Sequence, residues 1–208
     1  MSCVVAKAKA EAESTRAAIL DAAEVLFFQH GVSRTTLEKI ALAANVTRGA
    51  IYWHFQNKAD LFNAMLERVR LPFHHLLNEV DNNPTDDPFG QILELFTNGL
   101  QLIASSEQHL RVLTIVFHRC EYIDELNPAV TKQDELDEQT VAVLQRALER
   151  AEQMGLLREG ISPRLAAFSL HMYIGGIISN FLLKPQQCDL HKHAGALIDV
   201  MLQGLKKV

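Results

Sequence analysis

Residues 35–41 read Thr35-Thr36-Leu37-Glu38-Lys39-Ile40-Ala41, and residues 45–55 read Asn45-Val46-Thr47-Arg48-Gly49-Ala50-Ile51-Tyr52-Trp53-His54-Phe55. Both blocks open on threonine, whose hydroxyl can accept from an unpaired N–H of a first helical turn. After Thr35-Thr36, the spacing of Leu37, Ile40 and Ala41 predicts a helix of about eight residues with one inward face. Asn45-Val46 then reads as a turn, Thr47 as a second cap, and Arg48 to Phe55 as a further short helix. Two short helices joined by so tight a turn form a helix-turn-helix. Upstream, Ile19, Ala22, Ala23, Leu26 and Phe27 make one stripe of a helix expected over Glu13 to His30, with Gly31 as its stop.

What such a unit can do depends on its outward residues. A recognition helix enters the major groove with its N-terminal residues at the base edges. Arg48 stands at that end and can donate to O6 and N7 of guanine together. Gly49 has no side chain to hold the backbone off, and Tyr52, four residues on, shares the face of Arg48. Thr35, Thr36 and Lys58 offer hydroxyls and a charge suited to phosphates, which position a protein without specifying sequence. Ile51 and Phe55 fall on the other face and should anchor to Leu26, Ile40 and Val46. Helical hairpins are common and any surface carries some Arg and Tyr, so spacing and charge leave a plain structural reading open.

Net charge is −5 over 208 residues, which does not by itself suggest nucleic acid. The charge is uneven. Residues 1–60 hold seven Lys/Arg against six Asp/Glu, leaving thirteen against nineteen in the rest, and between Ser33 and Lys58 four basic residues face only Glu38. Hydrophobic residues at 48% and charged residues at 22% describe an ordinary folded chain with core enough for one or two domains, and ten Gly with six Pro favour long helices. Three cysteines, Cys3, Cys120 and Cys188, form neither a disulfide framework nor a zinc ribbon, so a reducing, cytoplasmic setting is expected. Phe168 to Leu183 is the longest apolar stretch, yet it is interrupted by Ser169, His171, Ser179 and Asn180 and is short for a membrane span.

Asp87-Pro88, Asn127-Pro128 and Ser162-Pro163 each write a helix start, a cap residue before a proline whose missing N–H is harmless there. Leu110 to Cys120 and Ala194 to Leu205 add further helices, and Gly155 is a stop. No segment alternates as a strand, so the expected fold is all-α with about nine helices. Enzyme and metal-sensor readings find little support. No histidine has Glu three residues before it, as di-iron bundles require, and no nucleophile elbow or phosphate loop occurs. Cys188, Asp189, His191 and His193 do not converge on one helix face. Neither a metal nor another cofactor is expected.

The string from Thr35 to Phe55, continued by Asn57-Lys58-Ala59-Asp60-Leu61-Phe62, closely resembles the DNA-binding signature of TetR-family transcriptional regulators. Within that family it is most similar to the AcrR and TtgR type, which represses multidrug efflux pump operons. Downstream the resemblance rests on length, helix order and the Cys120-Glu121-Tyr122 neighbourhood. The family usually has Gly where this chain has Asn45, and Asn is the side chain best able to take the left-handed conformation.

The resemblance implies a helix-turn-helix domain over residues 1–58 and a larger helical ligand-binding and dimerisation domain over 59–208. It places Arg48, Gly49 and Tyr52 near bases, and Thr36, His54 and Lys58 at or beside phosphates; Thr35 and Thr47 join the DNA-facing set. Trp53 either touches the DNA backbone or packs, with packing favoured, and Lys7 and Lys9 belong to an arm or a solvated tail. The last two helices, about Ser162 to Lys184 and His191 to Lys206, are implied to pair with a second copy. The helix from Lys58 to about Val80, with Pro72 inside it, is the implied lever between the two parts. A cavity for hydrophobic or aromatic effectors has as candidates Phe73, Phe96, Leu113, Phe117, Phe168, His171, Ile174 and Ile178, each also readable as core. The expected function is a repressor bound as a homodimer to a near-palindromic double-stranded operator, away from membranes. A regulator of another regulon sensing one metabolite, or an activator, is the alternative.

Overall fold

Capping residues set where several of the helices begin. The computed structural model describes residues 2–120 and 127–207, and side chains within 6–120 and 134–207; Glu121 and Tyr122 of the downstream resemblance lie outside them. Nine α-helices occur among the described residues: α1 Ser2–His30, α2 Leu37–Ala43, α3 Arg48–His54, α4 Lys58–Asn82, α5 Pro88–Ser105, α6 Glu107–Thr114, α7 Asn127–Gln153, α8 Pro163–Leu183 and α9 Leu190–Leu205. The all-α expectation holds, and among the described residues the sole strand-like feature is an isolated bridge between Leu157 and Lys206.

Thr36, Thr47, Asp87 and Ser162 all act as N-caps, each side-chain oxygen accepting from the N–H three residues on. At Asp87 the cap also explains a glycine, because a Cβ on Gly90 would collide with the Asp87 carboxylate. Gly31 and Gly155 end α1 and α7 in the left-handed conformation, at φ +83° and +71°.

Two boundaries differ from the sequence expectation. Helix α1 starts at Ser2 instead of Glu13, which turns the expected arm or tail bearing Lys7 and Lys9 into helix. The added turns are rich in alanine and lysine, strong helix formers with no apolar stripe to announce them. Helix α4 continues through Pro72, as expected. The helix expected over Leu110–Cys120 begins at Glu107 and passes into a π turn at Ile115–Arg119.

The chain forms two compact units, one of residues 1–69 with 111–131 and one of 70–110 with 132–208. In the first, Ile19, Phe27, Ile40, Ile51 and Phe55 share a buried cluster with Leu61 and Met65 of α4 and with Val112 and Ile115. Burying Ile51 and Phe55 contributes roughly 1.5–3 kcal/mol each. Leu26 and Val46 pack against the same cluster, as the faces of α2 and α3 require. The core of this unit therefore extends past residue 58, and the chain changes unit three times, each time inside a helix. In the second unit α5, α7, α8 and α9 enclose Ile92, Phe96, Leu144, Leu148, Leu170 and Ile198.

Candidate nucleic-acid interface

The turn between α2 and α3 fixes the angle at which α3 is presented. Ala44 caps α2, and Asn45 follows at φ +54°. The Val46 N–H donates to Ala41 O at 3.0 Å and the Asn45 N–H to Leu42 O at 3.1 Å. These two bonds define a Schellman motif, which needs a left-handed residue where Asn45 stands. The motif satisfies the carbonyls at the end of α2, and Thr47 then starts α3.

Helix α3 buries Ile51 and turns Arg48, Gly49, Tyr52 and Trp53 outward. Arg48 Nη2 donates to Tyr52 Oη at 3.3 Å, and its guanidinium carbon lies 5.5 Å from the centre of the Tyr52 ring. The i, i+4 pairing expected from spacing is thus present. The hydrogen bond to Tyr52, helped by the charge of Glu38, pushes the Arg48 pKa up, so the guanidinium stays charged. Gly49 is exposed, and a Cβ added there would meet only Thr47 Oγ1, at 3.8 Å. The fold does not need glycine at this position, whereas a surface closing on α3 would.

The other expected residues separate into two groups. Thr36 is exposed and its hydroxyl serves the α2 cap; Thr47 is exposed and serves that of α3. Trp53 is 72% exposed, with its ring edge-on to His54 at 4.5 Å between centroids. The packing role favoured for Trp53 is therefore corrected. His54 is partly buried, and desolvation, with a smaller contribution from Arg16, lowers its pKa, so the imidazole is biased towards neutrality.

Thr35 and Lys58 do not face outward. Thr35 is fully buried and its hydroxyl donates to Gly31 O at 2.8 Å, so a phosphate-facing hydroxyl is ruled out there. Lys58 is 6% exposed, and its Nζ donates to Thr35 O at 3.3 Å. Its ammonium ties the start of α4 to the turn before α2 and is not displayed on the surface. Sequence reasoning also left Glu38 without a role. Its Oε1 lies 3.1 Å from Arg48 Nη2, and the two residues are on different helices, ten apart, where no spacing rule pairs them.

In the second unit the effector candidates scatter. Phe73 and Phe96 stand together, centroids 6.2 Å apart, and Phe96 and Ile174 are core. His171 Nε2 is 3.9 Å from Asp137 Oδ1, Ile178 packs against the core, and Phe168 points to solvent, which corrects its place as a pocket wall. Leu113 and Phe117 belong to the first unit. An open groove of about 360 Å³ lies between α8, the turn after it and α9, lined by Tyr173, Ile177, Phe181, Cys188, Leu190 and Leu197 among others. None of the eight candidates lines it. Its α8 wall is the 173, 177, 181 row, next to the expected 171, 174, 178 row, and the greater hydropathy of α8 on all sides gave no means of choosing between them.

Comparison with known proteins decides the family. Residues 19–65 match the tetR family of bacterial regulatory proteins, and residues 87–207 match the C-terminal region of MAATS-type transcriptional repressors. The chain belongs to the TetR family. This TetR-family regulator is 38% identical over 201 residues to the probable acrEF/envCD operon repressor of Escherichia coli K12, covering 95% of this chain and 89% of the other. It is 34% identical over 200 residues to the transcriptional repressor BepR of Brucella suis, covering 96% of each. Among solved structures it superposes on NalD, the secondary repressor of the MexAB-OprM multidrug efflux pump in Pseudomonas aeruginosa, with a TM-score of 0.87 and 39% identity over 95% of this chain and 98% of that one. A structure of SmeT with triclosan gives 0.81 at 34% identity, covering 93% and 92%.

Proposed function

We propose that this TetR-family regulator represses a multidrug efflux pump operon and leaves its operator when a hydrophobic or aromatic small molecule binds. In this reading residues 1–58 carry the DNA contacts, and residues 59–208 bind effector and dimerise. The observation that carries the reading is the exposed Arg48, Gly49, Tyr52 face, held on α3 by the Asn45 turn and the buried Ile51. Arginine at that end suits guanine, and the Gly49 backbone admits close approach.

Dimerisation is supported by what α8 and α9 leave uncovered. Leu165, Phe168 and Met172 on α8, each at least half exposed, follow one another at i, i+3 and i+7, and Leu183 extends the row. Val200 stands out on α9, and an added Cβ at Gly175, Gly176 or Gly204 would meet nothing within 4 Å. Helix α8 is long and apolar enough to cross a membrane. Ala166, Ala167, Leu170 and Ile174 fill the core from one side, and the exposed row needs a second copy on the other. Two recognition helices about 34 Å apart would then meet successive major grooves of a near-palindromic operator. The setting is the cytoplasm, where DNA and effector are both reachable.

Release follows as a shift of populations: an effector that binds better to a dimer with the wrong spacing of α3 weakens DNA binding, and DNA weakens effector binding by the same factor. The triclosan complex of SmeT shows one relative holding an aromatic compound, which supports an aromatic effector here. Selection of bound sequences from a random duplex pool tests the DNA half of the reading. The winning duplex should be near-palindromic and be released by planar hydrophobic compounds in a mobility shift. No enrichment would overturn the DNA assignment, and enrichment without release by a broad panel would overturn the effector class.

A further inference from the structure

The Arg48 guanidinium is already engaged by Glu38. The Arg48 guanidinium lies 3.1 Å from the Glu38 carboxylate; hydrogen bonding by its own backbone N–H and by the Thr36 hydroxyl lowers the Glu38 pKa, with Arg48 adding to the effect. Thr36 Oγ1 at the same time accepts from the Lys39 N–H. The carboxylate therefore engages the guanidinium expected at the bases.

We propose that Glu38 is a specificity-determining residue, an internal carboxylate that competes with DNA phosphates for Arg48 and yields fully only to a duplex offering guanine. This rests on the reading of Arg48 as the base-contacting residue. A phosphate that takes Arg48 exchanges one anionic partner for another and leaves Glu38 bare beside a second negative charge. Guanine supplies two neutral acceptors in one plane, matched to the guanidinium, with no added charge at Glu38. A duplex in the wrong register meets repulsion as well as a missing contact, and specificity is often set by such a repulsive element. Both side chains are about half exposed, so the pair is weak enough for DNA to open it.

The test uses the full-length protein, the duplex recovered by selection and a scrambled duplex of equal length, with E38Q, E38A, R48A and E38Q/R48A compared at one salt concentration. E38Q should tighten binding to the scrambled duplex by about two- to fivefold, the range for an exposed ion pair, and tighten the selected duplex less, so that discrimination falls. E38A should do the same, and its helical circular dichroism should match wild type. In the R48A background the same substitution should leave discrimination unchanged, because Glu38 acts through Arg48. Two results would overturn the inference: unchanged discrimination in E38Q and E38A, or an equal fall with and without Arg48, which would mean a general charge effect. A wild-type protein that does not discriminate at all would remove the Arg48 reading itself, and this inference with it.

Discussion

Asn45 is the residue on which the geometry of the α2–α3 turn depends, and its replacement by alanine has a calculable outcome. At φ +54° the backbone is left-handed, a conformation that costs an ordinary L-residue roughly 1–2 kcal/mol and asparagine less. The side chain is exposed, so Asn45→Ala should lower stability chiefly through backbone strain, by about 1 kcal/mol. Asn45→Gly relieves the strain but gives the unfolded chain more freedom, an opposing effect of about 0.4–1 kcal/mol, so it should fall close to wild type. Asn45→Val, β-branched at positive φ, should be the worst of the three. Urea unfolding is the assay, with a lower midpoint and an unchanged slope expected for Ala and Val. Operator affinity measured on the same proteins should follow this order, since the turn sets the presentation of Arg48. If Asn45→Ala and Asn45→Val unfold at the wild-type midpoint, the argument from the left-handed turn is wrong.

Arg48→Ala should reduce preference for the selected duplex over scrambled DNA by roughly ten- to a hundredfold while leaving helix content and dimerisation intact; retained preference in competition titrations would contradict the base-contact role. Phe168→Glu with Met172→Glu should convert a dimer to a folded monomer in sedimentation velocity and weaken operator binding strongly, and a variant that sediments unchanged would exclude the α8 row as the interface. Asp81 is hydrogen-bonded by Arg146 through both carboxylate oxygens at 2.8 Å, which holds its pKa below the ordinary value. Its contribution is therefore present above the unfolded pKa of about 3.9 and lost as pH falls through the lower folded value. With both side chains a third or more exposed it should stay under about 1 kcal/mol. The stability gap between wild type and Asp81→Asn should close in strong acid, and a gap that widens there would refute this account.

Signals confined to a few neighbouring residues were legible in the sequence. The caps at Thr36, Thr47, Asp87 and Ser162, the stops at Gly31 and Gly155, and the left-handed Asn45 all follow from local backbone needs, and each is found as expected. The outward face of α3 was equally readable, because burying Ile51 and Phe55 leaves Arg48 and Tyr52 outside. What could not be read was direction across the fold. Thr35 and Thr36 are adjacent and chemically identical, yet one hydroxyl turns in to Gly31 and the other out. Lys58 looked like a surface charge until the carbonyl of Thr35 took it. Glu38 meets Arg48, and Tyr173 meets Leu197, only because separate helices cross. Which row borders the open groove beside α8 was unreadable for a related reason, since the helix is apolar on most sides.

The three passages between units inside α4, α6 and α7 bear on how this regulator can be cut or recombined. A fragment ending at residue 58 would bring Ile51 and Phe55 but forfeit eight of the eighteen residues of their buried cluster, Leu61, Met65, Val112 and Ile115 among them. Such a fragment is not a cassette that can be transplanted onto a foreign sensor. A chimera that keeps the whole core of the reading head would also import the first turns of α4 and the distant segment around Val112 and Ile115, which a fusion at a single junction leaves behind.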